Sequence, residues 1–244
     1  MPTAHFIFHG ALNDFLPPAR RGAPFSLRFD AHQSVKHLVE ALGVPHLEVR
    51  AVQIAGAAAA FDDRVPEGSL VQVYPREAES LPPEELRFVL DNHLGRLAAS
   101  LRMLGFDTLY RNDYQDDELA ATATAQQRIL LTRDRRLLMR KAIPRGYCVR
   151  QTDPPQQLGA VVQRYVLAPH IRPFQRCMRC NGLLQPVDKA DVLDRLEPLT
   201  RLYFNEFRQC PACRQVYWKG SHYAHMLGTI TALEQGRTRP PVLK

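Results

Sequence analysis

Four cysteines in two Cys-x-x-Cys pairs, Cys177 with Cys180 and Cys210 with Cys213, constrain this chain more than any other feature. Thiolates spaced this way can converge tetrahedrally on one cation, and an all-sulfur set suits Zn²⁺. The tight turns that would follow each pair, in CMRCNG and CPACRQ, let backbone N–H groups face the sulfurs. The 29 residues between the pairs are somewhat more than the commonest knuckles have. Two disulfides and a redox pair are the alternatives. The start, MPTAHFIFHG, lacks the basic and long apolar regions of a secretory leader, which disfavours disulfides. Two equivalent pairs also fit a structural site better than a redox one. A closed four-cysteine site leaves no open position, so the zinc expected here folds a small ribbon with little core of its own. The fifth cysteine, Cys148, lies between Tyr147 and Val149 and reads as a small buried hydrophobe.

The rest of the 244 residues divides by rhythm. HFIFHG and PFSLRFD read as strands, with LNDFLPPARRGA as the loop of their hairpin. Ser34 caps a helix through VKHLVEALG, and EVRAVQIAG and SLVQVYP are two further strands. The boundaries expected are a module at 1–78 and a linker at 79–85 around Pro82-Pro83. An alternating strand–helix segment follows at 86–168, then a zinc ribbon at 169–230 and a tail at 231–244. In the alternating segment LRFVL, FDTLYR, RILLT and GYCVRQ are strands. HLGRLAASLRMLG, DDELAATATAQQ, RDRRLLMRKA and PQQLGAVVQRYVL are helices, which argues for an α/β layer with a parallel sheet. No run of about 18 apolar residues occurs, so no membrane-spanning helix is expected and the protein is placed in the cytoplasm. The formal charge of +7 is uneven. Residues 1–80 sum to −2, residues 81–150 to +3 and residues 151–244 to +6.

Three aspartates share one kind of position. Asp91 ends LRFVL, Asp134 follows RILLT, and Asp116 opens the helix after FDTLYR. The carboxyl ends of parallel strands form the rim where ligands bind. Carboxylates converging there could hold Mg²⁺ or Mn²⁺, as phosphodiester hydrolysis requires. Glu118 is the additional ligand expected beside Asp116. Taken singly, each aspartate also reads as a helix cap. Arginines flank the same rim, among them Arg96, Arg102 and Arg133. They would grip an RNA backbone or, in the alternative, face solvent. After the second cysteine pair, Trp218, Lys219 and His222, with Tyr217 and Tyr223 near, form an aromatic and basic surface suited to unpaired bases. The alternative for Trp218 is packing of the ribbon. His222 and His225 could also act as spare metal ligands, although RNA contact or simple surface placement fits them better.

FVLDNHLGRLAASLRMLGFDTLYRNDYQDDELAATATAQQRILLTRDRRLL resembles the PIN-like ribonuclease domain of the Mut-seven C-terminal type, and CMRCNG, CPACRQ and VYWKGSH are similar to its appended zinc ribbon. Together the match runs over residues 86 to 227. The resemblance implies a metal-dependent ribonuclease in which Asp91, Asp116 and Asp134 match the acidic motif positions. The first module resembles the α+β β-grasp, or ubiquitin-like, fold, and in particular the small sulfur-carrier proteins. Carriers end in a free Gly-Gly tail, whereas this chain continues as REAESLPPEEL, which implies a binding or regulatory module with a protein partner. The rival reading is a non-catalytic RNA- or ribosome-binding adaptor in which the acids are only caps. A sulfur-transfer accessory is a further one, and it would need a reactive thiol that cysteines engaged with a metal do not offer.

Overall fold

The computed structural model describes residues 1–220 together with Tyr223, Gly228 and Thr231. The first 79 residues build a five-stranded sheet from β1 (Thr3–Phe8), β2 (Phe25–Arg28), β3 (Val49–Ile54), β4 (Ala57–Ala59) and β5 (Leu70–Pro75), in the order β2-β1-β5-β3-β4. β1 and β5 run parallel at its centre, and the other pairings are antiparallel. Helix α1 (Val35–Ala41) starts where Ser34 Oγ accepts the His37 N–H at 3.4 Å. It buries Val35, Leu38 and Val39, while Phe6, Phe8, Val71 and Val73 are buried in the strands. A mixed sheet with parallel central strands and one helix is the topology of a β-grasp fold, as the sequence leads one to expect.

β6 (Arg87–Leu90), α2 (Gly95–Met103) and β7 (Asp107–Tyr110) follow, with β6 and β7 in a parallel ladder. Then come α3 (Asp116–Ala125), β8 (Ile129–Thr132) and β9 (Gly146–Cys148), the two strands again parallel. Helix α4 (Pro154–Arg164) has Asp153 as its cap. The three-stranded ribbon β10 (Gln185–Val187), β11 (Phe207–Gln209) and β12 (Val216–Trp218) is antiparallel, with the short α5 (Pro198–Tyr203) between its first two strands. Among the described residues no helix is long and apolar enough to cross a membrane.

Two of these elements differ from the sequence expectation. EVRAVQIAG reads as one strand running through Gly56, yet β3 stops at Ile54, Ala55 and Gly56 both take positive φ, 49° and 83°, and Ala57–Ala59 folds back on it as β4. RDRRLLMRKA is not a full helix. It makes one tight turn, Leu137–Met139, and the backbone is extended at Arg140. Pro144 disfavours helix at Ile143 before it. Leu137 and Leu138 keep the burial that their apolar character calls for.

The compact units do not follow chain order: Met1–Glu79 groups with Asp116–Cys148, and Ser80–Gln115 with the described residues from Val149 onward. Inside the first unit the β-grasp module is joined to β9 and its neighbours by specific bonds. Glu48, 4% exposed, accepts the Cys148 N–H on Oε1 at 2.6 Å. Arg135 donates to the Phe15 carbonyl at 2.9 Å and lies over that residue's ring. Replacing Glu48 by Ala strands a buried backbone donor, so the unfolding free energy should fall by about 1–3 kcal/mol. Denaturant titration checks this, and an unchanged midpoint would show that the contact carries no stability.

Candidate functional site

The carboxylates expected at the strand ends divide between the two units. In the second, Asp91 directly follows β6 and is 6% exposed. Its Oδ1 accepts the His93 N–H at 2.9 Å, capping the turn Asn92–Leu94. In the first, Asp134 lies in the loop after β8, exposed, where its Oδ1 accepts the Arg136 N–H at 2.7 Å. Its own N–H donates to Thr132 Oγ1 at 2.9 Å. Asp116 and Glu118 sit in the first turn of α3, both exposed, where negative charge complements the helix dipole. Arg140 pairs with Asp117 and approaches Asp116 to 3.9 Å. The Asp117 hydrogen bond holds the Arg140 guanidinium above its usual range, and Asp116 and Asp134 add to the effect. Asp116 and Asp134 thus share one cation's neighbourhood.

The expected RNA contacts fare differently from one another. Arg96 and Arg133 are exposed. Arg102 is turned inward and 4% exposed: Nε donates to the Thr108 carbonyl at 2.9 Å, and Nη1 to those of Met178 and Arg179 at 3.1 and 3.0 Å. Its guanidinium is consumed within the fold. Trp218 packs on the ribbon cluster of Val192, Leu196, Phe207 and Val216, its ring 6.4 Å from that of Phe207. Lys219 pairs with Glu206 at 3.1 Å. His222 and His225 lie outside the described residues.

Cys177, Cys180, Cys210 and Cys213 come together with all four sulfurs within 4.8 Å of one another. The two knuckles repeat one geometry. The Asn181 N–H reaches the Cys177 carbonyl and the Arg214 N–H the Cys210 carbonyl, at 2.9 and 2.8 Å. The Cys177 and Cys210 N–H groups reach Gly182 and Gln215, at 2.8 and 3.0 Å. Asn181 and Arg214, each just after a pair, both take positive φ, 70° and 62°, which closes the turn around the sulfurs. At Gly182 a Cβ would lie 2.9 Å from Cys210 Sγ, so only glycine leaves the sulfurs room. Burial raises the Cys177 thiol, but the Tyr217 hydroxyl at 3.1 Å and the knuckle N–H groups outweigh it and bring it to about 7. Burial and the adjoining sulfurs push Cys180 up to about 12. Four sulfur donors this close, in two equivalent knuckles, could hold a metal such as zinc.

Sequence spacing does not reveal the residues that support this centre. Tyr217 Oη accepts the Met178 N–H at 3.0 Å and can donate to Cys177 Sγ. Asn181 Oδ1 accepts the Thr108 N–H at 3.0 Å, and its amide donates to Asp107 at 2.8 Å, binding the first knuckle to β7. Tyr217→Phe should lower zinc affinity by about tenfold, as loss of a group hydrogen-bonded to a ligand does. Competition with a chromophoric chelator measures this, and parental affinity would show that the hydroxyl gives the thiolate nothing.

Two family models match most of the chain. Residues 86–230 match the Mut7-C RNAse domain and residues 1–81 match Mut7-C ubiquitin. A human protein, Exonuclease mut-7 homolog, is 33% identical over 117 residues, which are 46% of this chain and 13% of that relative. This chain therefore spans only a small part of the curated relative's length. No solved structure matches it. The strand-end aspartates and the four cysteines lie inside residues 86–230 and the β-grasp module inside residues 1–81, and the chain belongs to the Mut7-C RNAse domain family, with a Mut7-C ubiquitin domain over residues 1–81.

Proposed function

We propose that this chain is a metal-dependent, PIN-like ribonuclease that hydrolyses RNA phosphodiester bonds in the cytoplasm. The observation that carries this reading is the match of residues 86–230 to the Mut7-C RNAse domain. Asp91 after β6, Asp134 after β8 and Asp116 at the start of α3 are the acidic positions that the sequence resemblance singles out. Asp91, Asp116 and Asp134 would hold Mg²⁺ or Mn²⁺, with Glu118 as a further ligand, since carboxylate oxygens are the donors these ions take. Such an ion supplies polarisation of the phosphate and a lowered pKa for an attacking water. Asp91, almost fully buried, keeps its carboxylate oriented through the His93 N–H. Asp116 and Asp134 stay exposed and open to an incoming backbone. Arg96 and Arg133, also exposed, would meet its phosphates. The cysteine site takes structural zinc, and the β-grasp module has a protein partner.

A second reading, a non-catalytic RNA- or ribosome-binding adaptor, has one observation in its favour. Asp91 and Asp134 each spend an oxygen on capping a turn. Asparagine caps about as well as aspartate but carries no charge. Asp91→Asn and Asp134→Asn therefore separate the two roles. On the nuclease reading both should retain the parental melting temperature and lose cleavage of labelled RNA in Mn²⁺ by at least about a hundredfold. Undiminished cleavage in both variants, or a parent that never cleaves with either ion, would leave the adaptor standing.

A further inference from the structure

The ribbon carries a groove that neither the acidic loops nor the cysteines use. It has a volume of about 440 Å³, and its walls include Phe174, Asn205, Phe207, Arg208, Lys219 and Tyr223. A space of this size accommodates a small organic group. Phe174 has φ +64°, a region that a bulky residue adopts only when its surroundings enforce it. Core burial does not explain that strain. Phe174 is half-buried and stands outside the two apolar clusters that build the ribbon. Its ring and carbonyl contacts are with groove residues. The Arg208 guanidinium lies 5.7 Å over its ring, and Arg208 Nη1 reaches its carbonyl at 3.4 Å. The Tyr223 ring meets it edge to face at 5.3 Å and 76°.

Rings held in place beside cations are how proteins take unpaired nucleic acid, with bases stacking on aromatic faces and phosphates meeting positive charge. Arg208 makes no ion pair among the described residues, so its charge is available to a ligand. Lys219 also lines the groove but is paired with Glu206, another wall residue, so Arg208 supplies the groove's net positive charge. Residues 151–244 carry the largest share of the chain's positive charge, +6, which draws a polyanion to this end. We infer that this groove binds single-stranded RNA, a base stacking at Phe174 and Tyr223 and its phosphate meeting Arg208. The choice of RNA rests on the ribonuclease reading. A paired duplex conceals its base faces and does not fit.

The test measures fluorescence anisotropy of a short labelled oligouridylate on the full chain carrying Asp134→Asn, alone and with Phe174→Leu or Arg208→Gln. Phe174→Leu should weaken binding about tenfold, as loss of a base stack does. Arg208→Gln should lower the salt dependence by about one charge. A duplex of the same length should bind weakly and respond little to Phe174→Leu. Zinc content and melting temperature report folding, and Arg208→Gln alone carries the test if Phe174→Leu loses its metal. Parental affinity and salt slope in well-folded variants would overturn the inference, as would a duplex that binds as tightly as the single strand. Groove-dependent binding by a parent that never cleaves RNA would sink the ribonuclease reading and leave this one. Cleavage with groove-independent binding would do the reverse.

Discussion

Arg102 carries its charge into the protein interior, at a cost that only full hydrogen bonding offsets. Carbonyls of Thr108, Met178 and Arg179 provide that bonding. Burial lowers the guanidinium from its usual range, and the Cys180 and Cys177 sulfurs oppose the shift. The arrangement makes sense around a thiolate centre, whose negative charge a fixed cation complements. From this one side chain the second unit is organised outward. α2 and β7 are tied to the first knuckle, and Asn181 repeats the tie to β7 through Thr108 and Asp107. Gly105 permits the close approach of the Arg172 carbonyl, where a Cβ would collide. The ribbon is thus built into its unit rather than appended to it.

What could be read from residues alone follows the range of the interaction concerned. The cysteine centre was legible because each knuckle is a local turn whose spacing decides its geometry. The β-grasp strands and α1 were legible from alternation and from the Ser34 cap. β4 was not, because alanine has no strand preference and the element exists only through its pairing with β3. Arg102 sits beside the apolar stripe of Leu94, Leu97, Ala98, Leu101 and Leu104, where a charged residue ordinarily faces water. Its partners Met178 and Arg179 are 76 and 77 residues away in the chain, beyond any local pattern. The groove at Phe174 was hidden for the same reason. Trp218 is the aromatic that local sequence singles out, and its ring is used to pack the ribbon.

The aspartates illustrate a different limit. A cap and a metal ligand want the same residue at the same place, the start of a turn after a strand. Asp91 and Asp134 each show the capping bond, to the His93 and Arg136 N–H groups. Position along the chain therefore marks these residues under either role, and only chemistry that distinguishes charge from hydrogen bonding can assign them.

The bonds from Glu48 to Cys148 and from Phe15 to Arg135 bear on what the ubiquitin-like module can offer to others. That flank of the module is already occupied by its own polypeptide. A visiting protein must approach from elsewhere on the module or evict residues 116–148 to reach it. Eviction would uncover the Cys148 amide beside the strand pair that Asp134 follows. A ligand bound there would have to replace the hydrogen bonds that Glu48 and Phe15 make to Cys148 and Arg135.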